Sequence, residues 1–177
     1  MRHVFIHSRV FCTLIVFSII FCGSIPAYAS EKLTDDAALR NLEGVFLKIV
    51  LGDILISRGV SVQQIEDELR TKLQSAGIKI YSLSELREIP GSPILIVEAQ
   101  CDKMESLSSN RTALYAFIAV VSLFQLKTSD RNIAPIGEST WEAQDRGATF
   151  EVTDIRHYLA KLVDTFIHAH RSVNSKN

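Results

Sequence analysis

The chain has 177 residues, a formal net charge of -1, and 47% hydrophobic against 22% charged residues. With eight glycines, four prolines and three cysteines, the composition excludes a disordered, collagen-like or disulfide-framed chain. A charge so close to zero argues against a nucleic-acid-binding protein, which needs a clear basic excess. The length indicates one domain.

The first 29 residues have the pattern of a secretory signal peptide. A basic start precedes an apolar stretch over residues 10–22, and a small-residue site, Ala-Tyr-Ala, ends at Ala29. The apolar stretch is shorter than the roughly 20 residues that span a bilayer. We therefore predict cleavage between Ala29 and Ser30, export to the bacterial periplasm, and no stable transmembrane segment after cleavage. An uncleaved membrane anchor is the alternative.

The chain after this site contains a single cysteine. Residues 30–177 have 17 Lys and Arg against 20 Asp and Glu, and Cys101 is their only thiol. In an oxidising compartment a lone thiol is either buried or paired between chains. Cys101 ends an apolar strand candidate, which favours burial.

The mature chain begins with a polar segment and a short apolar one. Residues 30–41 are polar and charged and are interpreted as a leader to a single domain over residues 42–174, with residues 175–177 as a tail. Residues 44–51 are β-branched and aromatic, which predicts a strand. A helix is the competing interpretation, because the apolar run continues to residue 56.

The next segment carries the clearest helix signal. Ser61 and Gln64 have the spacing of a capping box, and apolar residues then recur at helical spacing. Gly77 stands where a left-handed residue ends a helix. These features predict a helix over residues 62–76.

Four more strands and a second helix follow. The strands are predicted over residues 78–81, 94–100, 113–126 and 138–143, with a helical turn at 84–88, a proline turn at 90–93 and loops at 102–111 and 129–132. An apolar stripe from Ile155 to Ile167 predicts the final helix. The order β-α-β-β-β-β-α predicts an α+β two-layer domain, with a mainly antiparallel sheet of about five strands and two main helices.

Several segments resemble a group of short exported bacterial α/β proteins that have no assigned activity. They are residues 73–80, 90–97, 120–125, 139–141 and 162–167, followed by Val173 and Asn174. The order of elements is also similar to small envelope domains such as the amino-terminal domain of the translocation protein TolB. The resemblance implies a fold and supplies no catalytic residues.

No motif for catalysis or for binding nucleotides or metals stands out in the sequence. Asp164 and His168 lie one helical turn apart and could ligate a metal. His157, however, lies about 16 Å from His168 along the helix axis, so a solvated polar face is the favoured interpretation. We predict no catalytic, metal or cofactor residues.

The strand over residues 113–126 is apolar on both faces. Two helices cover one face of such a sheet, so we expect a leader, a second subunit, a partner protein or an apolar ligand on the other. The alternative is that residues 30–60 pack on that face as an extra helix. We predict the interaction surface on the face of Tyr115, Phe117 and Leu123, together with Trp141. A core position is the alternative for Trp141.

These observations predict a non-catalytic binding or assembly protein of the bacterial cell envelope that acts through an apolar sheet face. Its partner would be a second copy, as a homodimer, or another envelope protein, without nucleic acid and without a cofactor. The alternative is a carrier or sensor domain that holds a small apolar ligand between sheet and helix. An enzyme is the least favoured interpretation.

Overall fold

The computed structural model describes residues 31–32, 36–104, 113–127 and 136–175. In these ranges six strands form one sheet, in the spatial order β1-β6-β5-β4-β2-β3. The strands are β1 (Glu31–Lys32), β2 (Gly44–Leu51), β3 (Lys79–Ile80), β4 (Ile94–Met104), β5 (Leu114–Lys127) and β6 (Ile136–Thr149). The helices are α1 (Asp53–Ser57), α2 (Val62–Ser75), α3 (Leu83–Leu86) and α4 (Ile155–Asn174). The predicted α+β two-layer class is confirmed.

The sheet contains both parallel and antiparallel strand pairs. The pairs β4–β5, β5–β6 and β6–β1 are antiparallel, whereas β2 runs parallel to both of its neighbours, β3 and β4. Parallel neighbours cannot be joined by a hairpin and need a crossover connection. Helices α1 and α2 lie in the connection from β2 to β3, and α3 lies in the connection from β3 to β4.

The structure confirms the predicted ends of helix α2. The Ser61 hydroxyl accepts a hydrogen bond from the Gln64 backbone N–H at 3.3 Å, and Gly77 adopts a φ of 85°, which only glycine adopts without strain. Its apolar stripe is buried at Ile65, Leu69 and Leu73. The helix therefore begins and ends through local signals and is held by burial against the sheet.

Helix α4 is the second long helix on the same face of the sheet. Its buried side chains are Ile155, Leu159, Leu162, Val163, Phe166, Ile167 and Ala169. They belong to one continuous core with the buried residues of α2 and of strands β2, β4, β5 and β6. Both long helices thus shield one face of the sheet.

Two strands are longer than predicted. Strand β4 continues to Met104, where a loop over 102–111 was expected, and β6 spans Ile136–Thr149. Asp102 pairs in register with Ala116 on β5, so hydrogen bonding to the neighbouring strand overrides the polar local sequence. The hairpin loop predicted at residues 129–132 lies outside the described residues.

The interpretation of residues 30–41 as a leader outside the domain was wrong for its second half. A 3-10 turn over Asp36–Leu39 packs on the sheet, and the Leu39 side chain has 0% exposure. Asp36 accepts a hydrogen bond from Trp141 Nε1 at 3.1 Å. The predicted cleavage site at Ala29 and Ser30 lies outside the described ranges. No helix within those ranges is both long and apolar enough to cross a bilayer.

Candidate functional site

The surface predicted for interaction is the core of the protein. Tyr115 is 3% exposed, Phe117 5%, and Leu123 and Trp141 are both 0% exposed. The prediction of an interaction surface at these four residues was therefore wrong. Side chains alternate across a strand, and the odd-numbered positions of β5 point toward α2 and α4 rather than away from them.

Ring contacts show how this core is built. The Phe117 and Tyr158 rings lie 4.4 Å apart between β5 and α4, and the rings of Trp141 and Phe166 meet edge to face at 5.2 Å. Such aromatic pairs add roughly 0.5–1.5 kcal/mol each beyond their buried area. The aromatic residues therefore hold the helix layer on the sheet.

The face of the sheet turned away from α2 and α4 is named the outer face here. Apolar residues at some of its even-numbered positions on β4 and β5 form a half-buried band across the two neighbouring strands, which Glu98 and Gln100 on β4 and Ser122 on β5 interrupt. The members of the band are Ile94, Ile96, Ala116, Ile118, Val120 and Phe124. A sheet face of this kind beside water is typical of a surface that a partner covers.

Exposed large apolar side chains stand near both ends of β5 and just after β6. Met104 pairs with Leu114 across β4 and β5, and Met104 is 45% exposed. Phe150 directly follows β6 and is 60% exposed, and Leu126 at the opposite end of β5 is 41% exposed. An apolar surface that extends beyond scattered single residues indicates an interaction site.

Charged side chains flank the band with both signs. Lys48 on β2 and Arg146 on β6 lie on either side of it, and Glu98 and Asp102 on β4 lie between them. Lys48, Asp102 and Arg146 are exposed. The middle strand of the outer face, β5, is therefore apolar apart from Ser122, and the strands beside it carry charges of both signs, including Glu142 on β6.

A signal for the correct face was present in β4. Positions 95, 97, 99 and 101 are all apolar, whereas positions 98, 100 and 102 are Glu, Gln and Asp. The pairing of Glu98 with Val120 puts the polar side of β4 beside the even positions of β5. The polarity of the neighbouring strand thus identifies which apolar face of β5 lies outside the core.

A cleft of about 330 Å³ lies at the end of the sheet where β2 and β4 begin. Its walls are the segment before β2, Tyr81 after β3, the turn before β4, and Gln125 near the end of β5. Four positions distant in sequence therefore meet at one place, which sequence reasoning did not find. Volumes of this size, roughly 300–1,000 Å³, are typical of small-molecule sites.

The pKa values of Cys101, Lys79 and Glu85 depart from their ordinary values. Burial raises the pKa of the Cys101 thiol above its ordinary value, and the side chain is 7% exposed, which confirms the predicted burial. A hydrogen bond and the charge of Glu43, 2.9 Å away, raise the pKa of Lys79. Hydrogen bonds from Ser82 lower the pKa of Glu85. Cys101 therefore does not have the lowered pKa that marks a reactive thiolate.

Asp164, considered above as a metal ligand with His168, forms an ion pair with Lys72. The Lys72 Nζ atom lies 2.6 Å from Asp164 Oδ2 and also donates to the Ala160 carbonyl. Within the described ranges no three His, Cys, Asp or Glu side chains come together as a metal site. Asp164 therefore links the two long helices in this structure.

Comparison with known proteins gives no family to which the chain can be assigned. No protein-family model matches it, and no curated protein sequence matches it. The function is therefore inferred from the residues and the geometry of this chain.

Proposed function

We propose that this chain is an exported protein of the bacterial cell envelope that acts by assembly rather than catalysis, with the outer face as its working surface. The occupant of that face is a second copy of the same chain. The observation that carries the proposal is the apolar band on the side of the sheet turned away from both long helices. Export follows from the signal-peptide pattern of the first 29 residues.

The charge pattern of the outer face favours a second copy as the occupant. A symmetric dimer uses the same surface twice, so residue i of one copy meets residue j of the other and the reverse. Arg146 on β6 and the acidic residues of β4 lie on opposite sides of β5. A two-fold axis along β5 therefore places β6 of one copy over β4 of the other.

This arrangement brings opposite charges together twice. Arg146 on β6 pairs with Ile118 on β5, which pairs with Gln100 on β4. Along the strand direction, Arg146 is therefore level with the position between Glu98 and Asp102 on β4. In the dimer its guanidinium faces the carboxylates of the second copy, while the apolar residues of the two β5 strands pack together. Two sheets packed face to face lie about 10 Å apart with their strands within roughly 30° of each other.

A charge-reversal series tests the dimer. Arg146→Glu puts like charges opposite each other at both symmetric contacts, so we expect it to shift the protein from dimer to monomer in analytical ultracentrifugation. Asp102→Arg alone should weaken the dimer in the same way, and the double variant should restore it. Both side chains are exposed, so the fold should tolerate either change.

Arg70→Glu is the matched control, because it reverses the charge of a helix arginine away from the outer face. The dimer should persist in this variant. A protein that sediments as a monomer at every concentration would contradict the proposal. So would a dimer that Arg146→Glu and Asp102→Arg leave intact.

A further inference from the structure

The cleft at the start of β2 has walls that are held by distant parts of the chain. Asn174, near the end of α4, accepts a hydrogen bond from the Asn41 backbone N–H at 2.7 Å and donates to the Leu39 carbonyl at 2.8 Å. His170 Nε2 contacts the Leu42 carbonyl at 2.7 Å. The last turns of α4 thus fix the segment that forms one side of the cleft.

The opposite wall is fixed by the sheet. The Leu126 backbone N–H donates to the Gly91 carbonyl at 2.7 Å, and the Ser92 N–H donates to Ile89 at 3.0 Å. Within the described ranges, two residues other than glycine have a positive φ: Asn41, at 61°, and Ser92, at 39°. They lie on the two segments that form the walls, and backbone of this kind persists only where its surroundings impose it.

Two polar side chains that line the cleft, Arg40 and Gln125, can donate hydrogen bonds to a ligand. Arg40 is exposed and has no acidic partner among the described residues. Thr140 donates to Gln125 Oε1 at 2.9 Å, so the amide nitrogen of Gln125 remains as a donor. The acid on the wall, Glu43, is already paired with Lys79 at 2.9 Å.

We propose that this cleft binds a carboxylate carried on a small apolar body. Arg40 supplies a charge-assisted hydrogen bond to the carboxylate, and the Gln125 amide supplies a neutral one. Tyr81, Ile89 and Pro90 also line the cleft and would contact the apolar body. The carboxylate belongs either to a free organic acid or to the carboxy terminus of a peptide. This site is separate from the outer face and does not depend on the dimer.

A titration followed by NMR of the backbone amides tests the proposal. The probes are 3-phenylpropionate, which models a free acid, and N-acetyl-phenylalanine, which models a peptide terminus. The primary amide of each serves as its neutral control. We expect saturable shifts at residues 40–44, 81 and 125 with at least one acid, and none of comparable affinity with its amide. The acid that binds more tightly identifies the source of the carboxylate.

Two substitutions connect the affinity to named atoms. Arg40→Gln should weaken binding of the acid at least tenfold, and Gln125→Glu should do the same because it keeps the acceptor for Thr140 and replaces the donor by a carboxylate oxygen. Arg70→Gln removes an equal charge from α2 and should leave the affinity unchanged. Equal binding of acid and amide, shifts outside the cleft, or full affinity in Arg40→Gln would each overturn the proposal.

Discussion

At the scale of single residues, Gly44 stands where β2 comes close to the backbone of β3. A Cβ atom added at Gly44 would stand 2.5 Å from the Lys79 carbonyl oxygen, which is backbone and cannot turn aside. We expect Gly44→Ala to lower the free energy of unfolding by about 1–3 kcal/mol, the usual cost of overpacking. Gly137→Ala is the control, since its new methyl would meet only Leu126 at 3.8 Å. Urea unfolding of both variants measures the difference. Equal stabilities would contradict the explanation that Gly44 is required by the close approach of Lys79.

Residues whose role depends only on sequence neighbours could be predicted from the sequence. The Ser61 cap and the Gly77 end of α2 depend on neighbours three or four positions away, and both were predicted. The residues of the cleft could not be found in this way, because Arg40, Tyr81 and Gln125 meet only through the sheet topology. The same holds for Leu39, whose burial depends on the contact of its turn with α4 and β6.

The carboxylate of Glu85 is held in the cap of α3 by two hydrogen bonds from Ser82. The Ser82 hydroxyl and backbone N–H both donate to its carboxylate at 2.7 Å, which lowers its pKa below the ordinary 4.5. Because the folded pKa is depressed, this stabilisation is present above the unfolded pKa and is lost as the pH falls through the folded one. We expect Ser82→Ala to raise the pKa of Glu85 toward 4.5 in an NMR titration. An unchanged pKa would contradict the capping account.

At the scale of elements, two ion pairs join the long helices. Lys72 pairs with Asp164 at 2.6 Å, and Arg156 pairs with Glu68 at 2.8 Å. All four side chains are 30–49% exposed, so solvent screens them and each pair contributes about 0–1 kcal/mol. Leu69 on α2 is only 1% exposed. Its replacement by alanine should lower the free energy of unfolding by about 2–5 kcal/mol.

Chemical denaturation separates these two contributions. A double-mutant cycle with Lys72→Met and Asp164→Asn should give a coupling below about 1 kcal/mol, and Leu69→Ala should exceed it clearly. A coupling as large as the loss in Leu69→Ala would mean that charge, rather than apolar burial, holds α2 against α4.

The type and order of the main elements followed from the local sequence, because α2 and α4 have a clear helical periodicity and β5 is a long run of β-branched, aromatic and other apolar residues. The strand ends could not be predicted in this way. Strands β4 and β6 extend through polar residues that are held in the sheet only by pairing with β5. The parallel pairing of β2 with β4 was equally beyond local signals, because it depends on a crossover of about forty residues.

At the scale of the whole molecule, the assignment of the two sheet faces decides the proposed function. The sequence of β5 is apolar at odd and even positions alike, so that strand alone could not show which face the helices cover. In the structure, Val121 is 0% exposed in the core, while Val120 is half-buried on the outer face. The existence of a second apolar face was predictable, and its identity required the register with β4.

Light scattering on a pair of adjacent valine variants tests the outer face most directly. Val120→Lys places an ammonium in the apolar band beside Glu98, its cross-strand neighbour, whereas Val121→Lys makes the same change one residue further on, inside the core. We expect a wild-type dimer, a folded monomer for Val120→Lys, and an unfolded protein for Val121→Lys. A Val120→Lys protein that is still a dimer, or that unfolds as Val121→Lys does, would contradict the claim that this face is the working surface.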